Sequence, residues 1–302
     1  MSRRRLAVAI AALALASAQA STLYRWTDAD GRVHYADRVD ARHAEGVERI
    51  AMRAEPVAVA RLRVVPDAIG AQAWVDNLLA GPIEVMLHAD GVAYASEPAL
   101  PARATIPPYS RALLARIAQG NPRLLVAAVP GSPSARPRDV EYAWPLPSAP
   151  LRIQQAWGGS HSHRDAENRY AVDFAAPVGT PVVAARDGLV IQAEADYGEA
   201  DGEDEASLLA RANFIRVLHD DGTMALYAHL QTGGVLVRPG ERVRRGQSIG
   251  RSGNTGLSTA PHLHFVVQAN RGMRMEAVPF RMFGPHGILR FGEARGLEPP
   301  AD

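Results

Sequence analysis

Six of the ten histidines fall between His161 and His264. The tightest pairing is Pro261-His262-Leu263-His264-Phe265. In a strand, side chains two apart share a face, about 6.5 Å from one another. Two imidazoles so placed could share one metal, or one could bind while its neighbour moves a proton. Tyr170-Ala171-Val172-Asp173-Phe174 sets a carboxylate in an apolar, strand-like run. A buried aspartate is costly unless paired or coordinated; the structural alternative is a cap on the turn before Pro177 and Gly179. Leu226-Tyr227-Ala228-His229-Leu230 puts one histidine in an apolar strand, where a satisfied core histidine is the default. Each segment alone has an ordinary explanation, but three in one stretch of chain point to metal-assisted or acid–base chemistry.

Composition narrows that chemistry. The 302 residues include no cysteine and no lysine. Thiol nucleophiles, thiolate metal sites and lysine Schiff bases are therefore excluded, and a metal must be held by His, Asp or Glu. A formal net charge of +1 gives no strong attraction to nucleic acid or an anionic membrane. Gly246-Gln247-Ser248-Ile249-Gly250 has the form of a nucleophile elbow, which needs a helix after the serine. The following Arg251-Ser252-Gly253-Asn254-Thr255-Gly256 is too rich in turn residues to be one. The same glycines lack the Gly-Lys-Ser/Thr of a phosphate cradle.

The elements that would position these groups read as β. The short runs Thr180–Val190, Asn213–Leu218, Thr223–Leu230 and His262–Val267 are strand-like and separated by turns. No amphipathic helix stands out. Between them Glu194 to Glu205 carries seven acidic residues. It reads as a solvated loop, with a calcium site lacking any defensible spacing and a lid favouring basic substrates as a further hypothesis. Upstream, runs at Ala60–Val65, Ala73–Val75, Pro82–Leu87, Ala112–Ile117 and Leu124–Val129 suggest a small antiparallel sheet or sandwich over residues 57–130. Residues 131–150, rich in Pro, Ser and Gly, read as a linker, and the tail from Phe280 onward as loosely structured surface.

At the N-terminus, Arg3, Arg4 and Arg5 precede an apolar run from Leu6 to Ala16 and the small-x-small Ala18-Gln19-Ala20. This is the pattern of a cleavable signal peptide over residues 1–20 and implies a periplasmic or secreted protein. The run is shorter than the roughly 20 apolar residues of a membrane span, so no stable membrane anchor is expected. Leu23 to Asp37 places aromatic segments on either side of an Asp-Gly turn, a hairpin within residues 21–56. Its Tyr24-Arg25-Trp26-Thr27-Asp28-Ala29-Asp30-Gly31 resembles a Tyr-x-Trp-x-Asp-x-x-Gly domain of exported bacterial proteins. A surface hairpin packing its own aromatics is the plain alternative.

The blocks from Trp157 to Gln268 resemble, in order, the lysostaphin-type (LytM-like) zinc endopeptidases of peptidoglycan. Ala171-Val172-Asp173-Phe174 with Pro177–Val182 is similar to that family's metal-aspartate block, and Tyr227-Ala228-His229-Leu230 to its catalytic-histidine block. Val243–Gly250 with Gly253–Thr259 resembles its glycine-rich approach, and Pro261–Phe265 its final block. The resemblance implies a mainly β fold: an antiparallel-sheet LytM-like catalytic domain over residues 151–281, after the sandwich-like domain and hairpin, with residues 282–302 as a tail. It implies Zn held by His163, Asp173 and His264, with His229 and His262 catalytic. Arg169 occupies the position where well-known members carry the first histidine ligand. His163 is chosen in its place, as in relatives with a histidine farther upstream, and His161 is the second choice. The implied activity is hydrolysis of peptide cross-links or stems of peptidoglycan, the expected partner. The alternative is a catalytically inactive wall-binding regulator that activates a separate amidase. A metallopeptidase acting on proteins is a third option. Nothing in the sequence assigns an oligomeric state.

Overall fold

The computed structural model describes residues 22–27, 33–36 and 48–51 and, from 58 to 291, all but 92, 119–121, 160–161, 199–210, 285–286 and 290. Every regular element among the described residues is a β-strand, so the mainly β expectation holds. No helix there is long and apolar enough to cross a membrane. The chain forms two compact units, Met1–Glu55 and Pro56–Asp302. The first contains β1 (Thr22–Thr27), β2 (Val33–Ala36) and β3 (Glu48–Ala51) in an antiparallel sheet of order β2-β1-β3. The hairpin expected around Asp28–Gly31 is the β1–β2 pair, with Trp26 opposite His34. The signal-peptide segment 1–20 lies outside the described residues.

The second unit begins with a sandwich. Its strands are β4 (Ala60–Pro66), β5 (Ala71–Asn77), β6 (Ile83–Ala89), β7 (Ser96–Glu97), β8 (Ala102–Ile106), β9 (Arg111–Ile117) and β10 (Leu124–Pro130). One sheet runs β4-β5-β9-β7 and the other β10-β6-β8. Along β5, Ala71, Ala73 and Val75 are buried, while the residues between them are part exposed. Val75, Ile83, Val85, Leu87, Ile106, Leu114 and Ile117 close the core between the sheets. β7 and β8 carry little sequence signal because both are short and the Pro98 and Pro101 between them read as turn.

Fourteen strands follow: β11 (Glu141–Ala143), β12 (Ile153–Gln155), β13 (Val172–Ala175), β14 (Pro181–Val183), β15 (Gly188–Glu194), β16 (Phe214–Leu218), β17 (Met224–Ala228), β18 (Leu230–Val235), β19 (Arg242–Val243), β20 (Ser248–Ser252), β21 (His262–Asn270), β22 (Met275–Ala277), β23 (Arg281–Gly284) and β24 (Gly287–Leu289). The main sheet runs β12-β13-β21-β17-β16-β15-β19, with β22 also on β21. Smaller sheets are β14-β20-β18 and β11-β23-β24. Alternation along β21 sends Leu263, Phe265 and Val267 into the core with Phe174, Ile215, Tyr227 and Ile249. His262, His264, Val266 and Gln268 therefore share the opposite face.

Three stretches differ from the sequence reading. Thr180–Val190 is not one strand: β14 and β15 lie in different sheets, separated by a turn. Residues 131–150 contain β11, and Trp144 and Leu146 join the core. Among the described residues from Phe280 to Phe291 lie β23 and β24, with Phe280, Met282 and Phe291 buried; residues 292–302 of the expected tail lie outside the described residues. In each case scattered apolar residues gain their burial from partners distant in sequence, which local periodicity cannot register.

The sandwich docks against the end of the main sheet distant from His262. Val129 packs with Ile191, Met224 and Met275, and a Cβ on Gly81 would lie 2.6 Å from Ile191. Asn270 Nδ2 donates to the Gly131 carbonyl at 3.1 Å, and the Met273 N–H donates to Glu84 Oε2 at 2.6 Å. Glu84 is buried and also pairs with Arg103. Replacing it by Ala strands the Met273 N–H and removes the pair. Urea denaturation of Glu84→Ala is expected to show a loss of about 1–3 kcal/mol; unchanged stability would mean the docking contact contributes nothing.

Candidate metal and catalytic centre

Strand register assembles the centre. Asp173 on β13 is opposite His264 on β21, and His264 is opposite Ala228 on β17. Paired residues project to one side, so Asp173 and His264 meet, and His262 follows two residues along the same face. His229 comes directly after β17, where alternation would turn it to the other face. Its φ of 60° prevents that. The left-handed residue redirects the chain and brings the ring centroid 4.6 Å from that of His262 and 5.9 Å from that of His264. Such a conformation costs about 1–3 kcal/mol in a residue other than glycine.

His163 arrives from the loop between β12 and β13 and is fully buried. Its Nδ1–H donates to the Ala156 carbonyl at 2.9 Å. A carbonyl only accepts, so in the neutral ring this bond fixes the proton on Nδ1 and leaves a lone pair on Nε2. That Nε2 lies 3.3 Å from Asp173 Oδ1 yet has no hydrogen-bond partner. His264 Nδ1 is 2.8 Å from the same oxygen. Ligating atoms of His163, Asp173 and His264 all lie within 4.8 Å of one another. A buried lone pair facing a carboxylate oxygen is an unfavourable contact that a cation between them relieves. Nitrogen and carboxylate donors without sulfur suit a borderline divalent metal, so the residues present fit one.

The other two histidines are held in the same tautomer by different carbonyls. His229 Nδ1–H donates to Thr255 O at 2.7 Å, and His262 Nδ1–H to Ala260 O at 2.7 Å. Both Nε2 atoms are thereby free to accept, and His262 Nε2 lies 3.7 Å from Asp173 Oδ1. Burial, then the neighbouring His262 and His264, push the His229 pKa down to about 3. Burial also lowers His262, against the pull of Asp173. For His163 burial works downward, but the Asp173 carboxylate outweighs it and the net shift is upward. Burial would raise Asp173; the proximity of His163 and His264 overcomes that and holds it far below its ordinary range.

Of the residues singled out from sequence, His163, Asp173, His229, His262 and His264 converge. His161 lies outside the described residues, as do residues 199–210 of the acidic stretch. Arg169 is exposed at the loop surface, 3.7 Å from Glu276 and over the Tyr170 ring. His219 stands at the opposite end of the sheet, donating from Nδ1 to Asp187 O. Ser248 opens β20, and no helix follows it, so the nucleophile-elbow match has no structural basis. Sequence reasoning missed the supports. Thr255 is buried, donates to Leu230 O at 2.7 Å and accepts from the Asn213 N–H, which fixes the carbonyl that orients His229. Ser258 Oγ sits 3.1 Å from His262 Nδ1, and Gln155 Nε2 donates to Asp173 Oδ2 at 3.3 Å. Gly253 must be glycine: a Cβ would lie 2.4 Å from the Gln231 nitrogen. The only available signal was small hydroxyl residues in a glycine-rich block.

Residues 167–276 match Peptidase family M23, and residues 10–62 match a domain of unknown function, DUF4124. Among curated proteins, Peptidoglycan DD-endopeptidase ShyC of Vibrio cholerae is 36% identical over 121 residues, 40% of this chain and 23% of the relative. Glycyl-glycine endopeptidase ALE-1 of Staphylococcus capitis is 43% identical over 105 residues, 34% of this chain and 25% of the relative. The chain thus spans about a quarter of the length of these relatives. A solved structure of the antimicrobial peptidase lysostaphin from Staphylococcus simulans aligns at 34% identity, covering 40% of this chain and 43% of that one, with a TM-score of 0.30.

The His229 shift has a consequence for metal-free protein. Its folded pKa of about 3 lies below the ordinary value of about 6.5. Between these, the unfolded chain takes up a proton that the folded chain refuses, so His229 stabilises the fold fully above about pH 6.5 and loses that contribution as pH falls. In chelator-treated protein, His229→Gln is expected to flatten the decline of the denaturation midpoint between about pH 6.5 and 4. Parallel curves for both proteins would show that His229 is not held neutral.

Proposed function

We propose that this chain, which carries a peptidase family M23 domain over residues 167–276, is a zinc-dependent endopeptidase that hydrolyses peptide bonds of bacterial peptidoglycan. His163 and His264 through nitrogen and Asp173 through its carboxylate would hold the zinc. The observation that carries this is the buried, unpartnered Nε2 of His163 directed at a carboxylate that His264 shares. Zinc with three protein ligands supplies Lewis acidity, lowering the pKa of a coordinated water to about 7 and polarising a carbonyl.

His229 and His262 perform the proton chemistry in this reading. Held neutral with bare Nε2 atoms, they accept the proton of the attacking water. Once protonated, they can donate to the developing oxyanion or to the leaving amine. Oxygen is added to the carbonyl carbon, the C–N bond breaks, and the proton ends on the amine. The carbonyls of Thr255 and Ala260 hold the rings in place, so no reorganisation is needed during the reaction. Peptidoglycan as the substrate draws support from relatives named as peptidoglycan and glycyl-glycine endopeptidases. The basic head and apolar run of residues 3–16 support export to the wall.

Zinc content and peptidoglycan digestion should be measured together. The wild type is expected to bind about one zinc and release cross-link fragments. His163→Ala should lose metal. His229→Ala should keep it while turnover falls about 10²–10⁴-fold. A wild type that binds sacculi but neither zinc nor cuts would instead identify a wall-binding regulator.

A further inference from the structure

The catalytic face of the main sheet carries a charged group that the hydrolytic chemistry does not use. Arg216 on β16 is opposite Leu226 on β17, which is opposite Val266 on β21. This row lies one pleat from the row of Phe214, Ala228 and His264. Arg216 therefore projects to the same side as His264 and Asp173. From strand spacings, its Cα is about 12 Å from that of His264. An extended peptide covers that span with about three to four residues.

Among the described residues, burial along the face marks a half-buried strip. At one end the four clustered histidines and Asp173 converge; at the other, Ile191, Met224 and Met275 are sealed under the sandwich. Tyr170 and Ala171 pack over Val266. Leu226 packs against the same cluster, and between these Gln192, Phe214 and Arg216 remain partly exposed.

The guanidinium itself is under-used. Nη1 donates to Gln268 Oε1 at 2.6 Å. Gln268 is 2% exposed and spends its own N–H on the Glu167 carbonyl at 3.0 Å, so it fixes the fork without neutralising it. Arg216 Nε is buried with no partner. Among the described residues no carboxylate forms an ion pair with it; burial pushes its pKa down to about 10, against the pull of the nearby Glu167 carboxylate. A cation held rigid, part desolvated and missing its acceptors is costly in isolation. Guanidinium forks match carboxylates in a bidentate fashion.

We propose that Arg216, positioned by Gln268, is a substrate-recognition residue that binds a carboxylate borne by the peptide about three residues from the cleaved bond. This rests on the peptidase reading for the identity of the peptide but not for the existence of the subsite. The ligand is a free carboxylate on a side chain or chain end of the stem peptide. Its carboxamide lacks the charge and cannot accept from both donors of the fork.

The test uses two soluble stem peptides identical but for that carboxylate, free in one and amidated in the other. With zinc-loaded wild type, kcat/KM is expected to favour the free acid by about tenfold to a hundredfold. Arg216→Gln should bring the two within about twofold, chiefly by lowering the rate on the free acid, and should leave the amidated peptide little changed. Arg216→Lys should recover only part of the preference, because it restores charge without the fork. Equal rates on both peptides by wild type overturn the proposal, and that result needs no variant to fold. An equal fall on both in Arg216→Gln also overturns it, as the mark of a structural role. Affinity of the two peptides for chelator-treated protein, read by calorimetry, separates the premises. Preference without hydrolysis keeps the subsite and removes the peptidase; hydrolysis without preference does the reverse.

Discussion

Asp173 stands opposite His264, and His264 opposite Ala228, in two adjoining strand pairs. A slip of one residue in either pairing would turn a polar side chain into the hydrocarbon between Phe174, Tyr227 and Phe265. Those aromatics fill the reverse face of the same strands, and their burial locks the register. The geometry of the cluster is thus a by-product of core packing: moving the carboxylate would expose a phenylalanine. β21 can carry two imidazoles without losing its place because Leu263, Phe265 and Val267 anchor its other side.

On this regular frame one residue departs from regularity. The positive φ at His229 lets a third imidazole join a face that alternation assigns to its neighbours. The strain is opposed by a buried network in which Asn213 and Thr255 tie the end of β17 to the glycine-rich loop before β21. That loop approaches the backbone of Gln231 so closely that Gly253 admits no side chain. Rigid carbonyls then set the tautomers of His229 and His262. Orientation and tautomer come from backbone groups, which explains why so much of the support is invisible as side-chain chemistry.

The sandwich contributes by where it ends. It covers the far part of the histidine-bearing face with Val129, Gly81 and Glu84 and leaves a strip of half-buried residues between itself and the histidines. Arg216 lies in that strip, with its guanidinium braced by Gln268. The face is thus sealed at one end and carries the histidine cluster at the other, with a cation between. The main sheet alone would present the histidines; the sandwich closes off its far end.

Much was legible in the chain itself because strand chemistry is local. Asp173, His229, His262 and His264 each sit in an apolar strand-like run, so their elements follow from the sequence, and alternation gives the shared face of all but His229, which joins it only through its positive φ. The absence of cysteine and lysine left histidine and carboxylate as ligands. His163 was harder, since a loop has no period; it entered by resemblance, and only the fold shows its Nε2 buried beside Asp173. β23, β24 and the burial of Phe291 were unreadable because their partners lie far away in the chain. The same holds for Thr255, Ser258 and Gln155, whose roles depend on what faces them. Sequence alone determined which groups could carry the chemistry and the faces of the strands they occupy. Tertiary structure decided which of them meet, which nitrogen of each ring is bare and which cation lacks a partner, because these depend on distances between segments that local pattern does not encode.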